Sequence, residues 1–274
     1  MEITIDLLKS IALTVYKKIN PLLGTKEAAE KLQKGAGGDI SMYIDVLAEN
    51  IIIDLLNKNN VNILFISEEI GEKKIGDQRQ IEKNRNKLIV DPIDGSNNAV
   101  RGIPYSSVSI AYAKGDQIKD IEMGVVLNLS NGDLFWGIKG GGAYMNDKQI
   151  FVSEIGLTQK CFIEIDISKR NFFQNIEKLK KILSIPSKIR IMGSTALTLC
   201  QIARGSVDAF LNFRETSRVV DAAAGYLILK ESGGKIFSIN GLNIEQKLLS
   251  IDTRFPFVAC NSELEQFLKK EVIF

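Results

Sequence analysis

The sequence predicts an α+β fold, and three patterns along its 274 residues support this prediction. Apolar residues recur at helical spacing in residues 3–20 and 40–57. Short strands separated by hairpin turns follow in residues 107–139, which is typical of an antiparallel meander. Strands and helices then alternate in the remainder of the chain. We therefore predict two regions that share an interface, an N-terminal α+β region of residues 1–159 and a C-terminal α/β region of residues 160–274 that completes the active site.

The composition excludes several classes of protein. Lys and Arg number 35 against 33 Asp and Glu, so the net charge of +2 favours neither nucleic acid nor a membrane surface as a partner. Three dispersed cysteines and an N-terminus without signal-peptide character indicate a reduced, cytoplasmic protein. Histidine is absent, which excludes Ser-His-Asp and Cys-His hydrolases and histidine-ligated zinc. Proton transfer must therefore use carboxylates, hydroxyl groups or metal-bound water.

Three segments between the main elements are assigned from local composition. The charged and then glycine-rich residues 25–38 are expected to form a loop, either a lid or a solvated linker. Residues 62–67 form a predicted strand, which ends at Glu68, where α/β proteins often place their sites. The polar residues 71–86 are expected to form a surface excursion.

The chemistry is concentrated in residues 87–101. An apolar, β-branched run predicts a buried strand that ends at Asp91, because the following proline cannot continue a central ladder. Asp94 and the next glycine predict a turn, with Ser96 as the N-cap of a short helix. Carboxylates beside free backbone N–H groups can hold a divalent metal ion and also accept an anion such as phosphate. The first hypothesis is therefore a metal-assisted phosphate-ester site.

Acidic residues elsewhere in the chain indicate a functional site only in combination with residues 87–101. Asp45 lies near the start of a predicted helix, and Asp221 opens a helix of small residues, where the helix dipole favours a carboxylate. Small residues also let that helix approach a neighbouring element closely. Taken singly, each acid is explained by an ordinary solvated helix or a helix cap.

The combined pattern resembles the inositol monophosphatase superfamily. Three motifs in the expected order carry the resemblance: residues 66–69 (ISEE), 91–96 (DPIDGS) and 220–223 (VDAA). Similarity to the archaeal-type dual fructose-1,6-bisphosphatase/inositol monophosphatase branch is carried by Gly38-Asp39, Asn146-Asp147 and residues 190–194. The resemblance covers nearly the whole chain. It implies a layered α/β/α/β/α sandwich, the sugar-phosphatase (inositol monophosphatase-like) fold.

The resemblance also implies the metal ligands. Two to three Mg²⁺ ions would be bound: the first by Glu68, Asp91 and the Ile93 carbonyl, the second by Asp91, Asp94 and Asp221, and a weaker third by Glu68 with waters. Independent physics supports bound cations, because carboxylates about 4 Å apart repel one another by roughly 4 kcal/mol per pair at an effective dielectric near 20. Ligands that are all oxygen favour Mg²⁺, with Mn²⁺ as a possible substitute.

Catalytic roles follow from the same resemblance. Ser96 and Asp45 would polarise the attacking water, with serine in place of the family's more common threonine, and Glu68 would act through the metal that it holds. Phosphate would bind to the amides of Gly95 and Ser96. Asp39 lies on the loop that, in the family, closes over the site and helps the third metal bind.

Substrate contacts are less narrowly indicated. The candidates for a distal phosphate are basic residues that could equally be solvated surface: Lys169, Arg170, Arg190, Arg214 and Arg218. The stretch Gly193-Ser194-Thr195-Ala196 is expected to line the sugar pocket through its backbone and hydroxyl groups. Asn212 occupies the place comparable to an acid that binds sugar hydroxyls in inositol-specific relatives.

The resemblance implies a cytoplasmic, homodimeric, Mg²⁺-dependent phosphatase for sugar and polyol phosphates, with fructose 1,6-bisphosphate and inositol 1-phosphate as substrates. In such an enzyme water attacks the phosphate group directly, so no phosphoenzyme intermediate is required. One alternative is a phosphatase for 3′-phosphoadenosine 5′-phosphate, which shares the metal motifs. An alternative of another class is a non-catalytic regulator that binds metal or phosphate, whose mark would be a lost metal ligand.

Overall fold

A computed structural model describes residues 2–36, 38, 40–168, 172–186 and 188–272. The helices in these ranges are α1 (Ile5–Ile19), α2 (Tyr43–Lys58), α3 (Gln78–Asn84), α4 (Ser96–Arg101), α5 (Phe172–Leu183), α6 (Thr195–Ala203), α7 (Val219–Glu231) and α8 (Glu265–Val272). Within the part of the chain that is described, every helix is too short or too polar to cross a bilayer.

The larger sheet has the strand order β10-β9-β8-β7-β6-β5-β3-β4, and β3 and β5 are its parallel pair. Its strands are β3 (Ile63–Ser67), β4 (Gly71–Ile75), β5 (Lys87–Asp94), β6 (Ser107–Ala113), β7 (Ile121–Asn128), β8 (Leu134–Ile138), β9 (Gly142–Met145) and β10 (Lys148–Gln149). The predicted meander corresponds to the antiparallel run from β6 onward.

The second sheet has the order β12-β11-β13-β15-β14. Its strands are β11 (Phe162–Asp166), β12 (Lys188–Arg190), β13 (Ala209–Asn212), β14 (Lys235–Ser238) and β15 (Phe257–Cys260). The chain is predicted to divide after residue 159, which in sequence lies between β10, the last strand of the first sheet, and β11, the first strand of the second. The division into two domains stays a prediction.

The elements stack as a layered α/β/α/β/α sandwich, which confirms the predicted fold. Alternate residues of β6 face opposite sides: Val108 lies in a core with α1 and α2, and Ala111 lies in a core with α6 and α7. The outer face of the second sheet is covered by α5 and α8, whose Leu179 and Leu268 share a buried core with Ile163 of β11. The layer of α6 and α7 therefore lies between the two sheets and carries residues from the C-terminal region to the site.

Small residues let α7 approach its neighbours closely, as the sequence predicts. A Cβ atom added at Gly225 would lie 2.8 Å from Leu199 Cβ on α6. A Cβ added at Gly124 on β7 would lie 2.8 Å from the backbone oxygen of Ala224. These contacts fix the height of α7 over the first sheet, and hence the position of Asp221 near its start.

One local prediction is wrong, and another lacks detail. Part of the expected loop at residues 25–38 is strand β1 (Lys31–Lys34), which pairs with β2 (Ile40–Met42) in a hairpin, so α2 begins at Tyr43 rather than at residue 40. The expected surface excursion at residues 71–86 is mostly exposed, as predicted, but contains β4 and α3. The polar strands β1 and β4 gain backbone hydrogen bonds from partner strands that are not evident from their own composition.

Candidate active site

A cleft of about 500 Å³ opens where the ends of β3 and β5 meet α4, α7 and the β1–β2 hairpin. Predicted site residues that line it are Asp45, Glu68, Asp91, Ile93, Asp94, Gly95, Ser96, Gly193, Arg214, Arg218 and Asp221. They come from both regions of the chain. The fold therefore gathers residues that lie more than a hundred positions apart in sequence.

The strand that carries the central motif continues further than the sequence predicts. β5 runs through Pro92 to Asp94, rather than ending at Asp91. Pairing with β3 ends at Val90, and the register with β6 shifts between Asp91 and Asp94. The proline therefore lies in this irregular stretch, where a missing N–H interrupts no regular ladder.

The turn after β5 also differs in one detail. Gly95, with φ of 90°, is the N-cap of α4, and Ser96 is the first helical residue. A Cβ atom at Gly95 would lie 3.0 Å from the Tyr105 carbonyl oxygen and 3.1 Å from that of Gly193. Glycine is thus required here both by its backbone conformation and by the close approach of the loop before α6.

Three carboxylates form the centre of the cleft. Glu68, Asp91 and Asp221 each offer an oxygen atom, and these atoms lie within 4.8 Å of one another. Burial, together with the charges of Glu68 and Asp94, raises the pKa of Asp91 well above its ordinary value. Burial also raises the pKa of Glu68 to about 7, although Arg218 opposes this shift. The protein thus holds acids where their negative charges need a compensating cation.

Arg218 provides such a cation within the cluster. Its Nη1 donates to Glu68 Oε1, and its Nε donates to Asp221 Oδ1 at 3.1 Å. Burial opposes the charge of the guanidinium group, but Asp221, Glu68 and Asp91 raise its pKa overall. The sequence predicts Arg218 as a contact for a distal phosphate, a role that stays a prediction, and does not predict that it bonds two metal-ligand candidates.

Asp94 connects the central motif to α6. Its Oδ2 accepts from Ser194 Oγ at 2.6 Å and from the Ala196 N–H at 2.7 Å, and its Oδ1 accepts from the Thr195 N–H at 3.1 Å. Burial and the charge of Asp221 raise its pKa to about 7, against these hydrogen bonds. Asp94 therefore caps a helix that belongs to the other region of the chain, in addition to its predicted role as a metal ligand.

Ser96 and Asp45 form a hydrogen-bonded pair beside the acid cluster. Ser96 Oγ lies 2.7 Å from Asp45 Oδ1 and 2.8 Å from the Ile93 carbonyl oxygen. Because the hydroxyl group has one proton, it donates to one of these acceptors at a time. Burial raises the pKa of Asp45 to about 7, and the bond from Ser96 lowers it in part. This value suits a group that exchanges a proton near neutral pH.

The remaining predicted contacts lie at the far end of the cleft or outside it. Arg214 lines the cleft and pairs with Asp166 at 3.3 Å. Asn212 is fully buried and bonds to Ser217 Oγ and the Arg214 N–H. Arg190 is exposed and lies over the Phe162 ring. Asp39, Lys169 and Arg170 fall outside the described residues.

One wall of the cleft was not predicted from the sequence. It is formed by Lys31, Ile40 and Met42, and the cleft is also lined by Glu69, Asn97 and Thr195. The first three belong to the β1–β2 hairpin, which was interpreted as a loop followed by a helix. The alternation of residues 40–42 is too short to have signalled a strand.

A second cleft of about 680 Å³ lies beside α7 and β14 and has a different character. Its charged lining residues are Lys230, Lys235, Lys269 and Glu245. Glu245 is already paired with Lys230. This cleft therefore does not reproduce the acid cluster, and the chemistry belongs to the smaller one.

Comparison with known proteins agrees with these features. Residues 2–269 match the model of the inositol monophosphatase family. A fructose-1,6-bisphosphatase/inositol-1-monophosphatase of Methanothermobacter thermautotrophicus is 35% identical over 92% of this chain and 90% of its own. A bifunctional NADP phosphatase/NAD kinase of Methanococcus maripaludis is 33% identical over 96% of this chain, which matches 48% of that protein.

Solved structures give the same result. The crystal structure of an inositol monophosphatase-fructose 1,6-bisphosphatase superposes with a TM-score of 0.83 at 27% identity, over 98% of this chain and 100% of that one. An inositol monophosphatase (IMPase) of Thermotoga maritima gives a TM-score of 0.78 at 26% identity, over 97% and 95% of the two chains. The family resemblance read from the motifs is confirmed: this chain belongs to the inositol monophosphatase family.

Proposed function

We propose that this protein is a Mg²⁺-dependent phosphatase that hydrolyses phosphate monoesters of sugars and polyols, with fructose 1,6-bisphosphate and inositol 1-phosphate as its substrates. One observation carries the proposal: the cluster of Glu68, Asp91 and Asp221 lies in the same cleft as the Ser96–Asp45 pair. This combination supplies both a site for cations and a path for a proton.

The residues present fit divalent metal ions. The donors are carboxylate oxygens, with the Ile93 carbonyl nearby, and such ligands favour hard cations such as Mg²⁺ and Mn²⁺. Glu68, Asp91 and Asp221 would hold the ions, with Asp94 and the Ile93 carbonyl completing the predicted set of two to three. Bound Mg²⁺ would make water more acidic and neutralise charge on the phosphate group.

Ser96 and Asp45 would receive the proton of the attacking water. With Asp45 ionised, Ser96 Oγ donates its proton to Asp45 Oδ1, and its lone pairs then face the water as acceptors. Asp45 is a suitable final acceptor because burial brings its pKa to about 7. Gly95 and Ser96 line the cleft at the start of α4, and their backbone N–H groups would bind the phosphate.

The second candidate activity is removal of the 2′-phosphate of NADP. A bifunctional NADP phosphatase/NAD kinase matches this chain over 96% of its length, nearly as well as the fructose-1,6-bisphosphatase/inositol-1-monophosphatase relative. Phosphatase activity toward 3′-phosphoadenosine 5′-phosphate is a further alternative, as it uses the same metal motifs. The acid cluster serves all of these substrates equally, so the choice among them depends on the far end of the cleft.

Phosphate release from a panel of esters tests the proposal. The panel is fructose 1,6-bisphosphate, inositol 1-phosphate, 3′-phosphoadenosine 5′-phosphate and NADP, each with Mg²⁺ or with EDTA. We expect the first two to give the highest kcat/KM and EDTA to abolish turnover. A large preference for a nucleotide would replace the proposed substrates, and no release from any ester would favour a non-catalytic regulator.

A cytoplasmic homodimer is part of the proposal and rests on the family resemblance. Light scattering coupled to gel filtration tests the assembly, and a mass near that of one 30.4 kDa chain would contradict it.

A further inference from the structure

We propose that Arg218 is a built-in cation that competes with Mg²⁺ for Glu68 and Asp221, so that metal binding must displace it. This inference rests on the proposed metal-dependent function. It concerns how the protein controls metal binding and is independent of which ester is hydrolysed.

The contacts of Arg218 carry the argument. The guanidinium group bonds two of the three carboxylates that could hold a metal, Glu68 and Asp221. The side chain of Arg218 is 12% exposed, and those of Glu68 and Asp221 are 15% and 9% exposed. Charge interactions in such a buried position are weakly screened by solvent, so a divalent cation and the guanidinium group would repel each other strongly.

Shared ligands add to this repulsion. Arg218 Nε is within bonding distance of both Asp221 oxygens, at 3.1 and 3.5 Å. A Mg²⁺ ion bound at about 2.1 Å occupies a lone pair of the oxygen that holds it, so that lone pair is no longer available to the guanidinium group. A cation at either Asp221 oxygen, or at Glu68 Oε1, would therefore lie close to Arg218 Nε or Nη1, and the guanidinium group would have to withdraw from that partner.

The position of Arg218 allows this exchange without loss of the helix. Its backbone N–H, and not only its side chain, bonds Asp221 Oδ2, at 3.4 Å, at the start of α7. The side chain can withdraw while the backbone keeps its place. Because the guanidinium group lines the cleft, a displaced side chain would be able to pair with a phosphate group bound there.

The test is Mg²⁺ binding by isothermal titration calorimetry in the absence of substrate, with Arg218→Gln, Arg218→Lys and Arg214→Gln. Arg214→Gln is the matched control, since it removes the same charge from the same cleft but from a side chain paired with Asp166. We expect Arg218→Gln to bind Mg²⁺ about tenfold more tightly than the wild type, or about 1.4 kcal/mol. The Mg²⁺ affinity of Arg218→Lys should lie between those of the wild type and Arg218→Gln. Arg214→Gln should change the Mg²⁺ affinity less than about twofold.

Thermal unfolding separates competition from a purely structural role. In EDTA, Arg218→Gln should lower the melting temperature because the acid cluster loses its counter-charge, and Mg²⁺ should raise it by more than in the wild type. A residue that only supports the fold would lower stability equally with and without Mg²⁺.

Unchanged or weaker Mg²⁺ affinity in folded Arg218→Gln would overturn the inference, as would unchanged affinity in Arg218→Lys if the glutamine variant does not fold. Equal affinity in all variants would leave the proposed phosphatase function intact. Absence of Mg²⁺ binding in every protein would overturn both the competition and the metal dependence.

Discussion

The two ends of the active-site cleft are built differently. At the end predicted to bind metal, Glu68 follows β3, Asp91 lies within β5 and Asp221 lies in the first turn of α7, and all three side chains are mostly buried. At the end predicted to bind the sugar, Arg214 is 42% exposed and lies in the connection after β13. Backbone hydrogen bonds hold the first set in place, whereas exposed side chains can vary without cost to the fold. The proposed function therefore assigns the chemistry to the more buried end and the choice of substrate to the more exposed one.

Replacement of Asp91 should give the largest effect and tests the metal end. Asp91→Asn should reduce kcat/KM by more than about a thousandfold, because a central ligand and a full negative charge are lost. Asparagine can still accept the bond from the Ile93 N–H, made at 3.1 Å, so the fold should persist. Circular dichroism and Mg²⁺ titration provide the measurements.

Asp166→Asn is the matched control at the sugar end, where the carboxylate pairs with Arg214. It should leave Mg²⁺ affinity unchanged. Comparable loss of metal binding in both variants would contradict the division of the cleft.

The hydroxyl group of Ser96 should have the next largest effect. Ser96→Ala removes the proton path to Asp45 and should lower kcat by about a hundredfold or more, with little change in Mg²⁺ affinity. Ser96→Thr keeps the hydroxyl group and should retain most activity. If alanine and threonine variants are equally active, Ser96 does not carry the proton.

The sequence was most informative where chemistry and local structure coincide. The motif at residues 91–96 combines strand, turn and acids, so the place of the acid cluster could be predicted from it, and the fold could be predicted from the family resemblance. The β1–β2 hairpin could not, because its stability comes from pairing between segments whose composition resembles a loop.

Side-chain pairs between distant parts of the chain could not be predicted from the sequence either. Arg218 lies 150 positions from Glu68, and Asp94 lies about a hundred positions from the α6 groups that it accepts from. The sequence indicates that these residues are charged or polar. Which partner each one meets depends on how α6 and α7 pack between the sheets.

Solution pH should change the stability of the metal-free protein. Burial raises the pKa of Asp45 and of Asp94 to about 7 in the folded state. A carboxyl group with a raised folded-state pKa favours folding below its unfolded pKa of about 4, and this contribution is lost as pH rises through the folded value. The melting temperature in EDTA should therefore be lower at pH 8 than at pH 5.

Mg²⁺ should reverse this loss, so the increase in melting temperature that it produces should be larger at pH 8. Differential scanning calorimetry at both pH values provides the measurement. Asp45→Asn is the control, because it removes one of the titrating groups and should reduce the pH dependence. A metal-free protein that is equally stable at both values would show that these acids are ionised without cost.

The smallest effect is expected at the sugar end, from Arg214→Gln. If Arg214 binds a distal phosphate, its loss should raise KM for fructose 1,6-bisphosphate by about tenfold. A charged hydrogen bond contributes about 1.5 to 3 kcal/mol, and solvent around the 42% exposed Arg214 side chain should keep its contribution near the lower limit. KM for inositol 1-phosphate, which has no second phosphate, should change little. Arg190→Gln is the control, because that side chain lies over Phe162, away from the residues that line the cleft. An equal rise in KM for both substrates would mean that Arg214 acts through its pair with Asp166 on the shape of the cleft. The distal phosphate would then need another partner, and the other basic residues that line the cleft are Lys31 and Arg218.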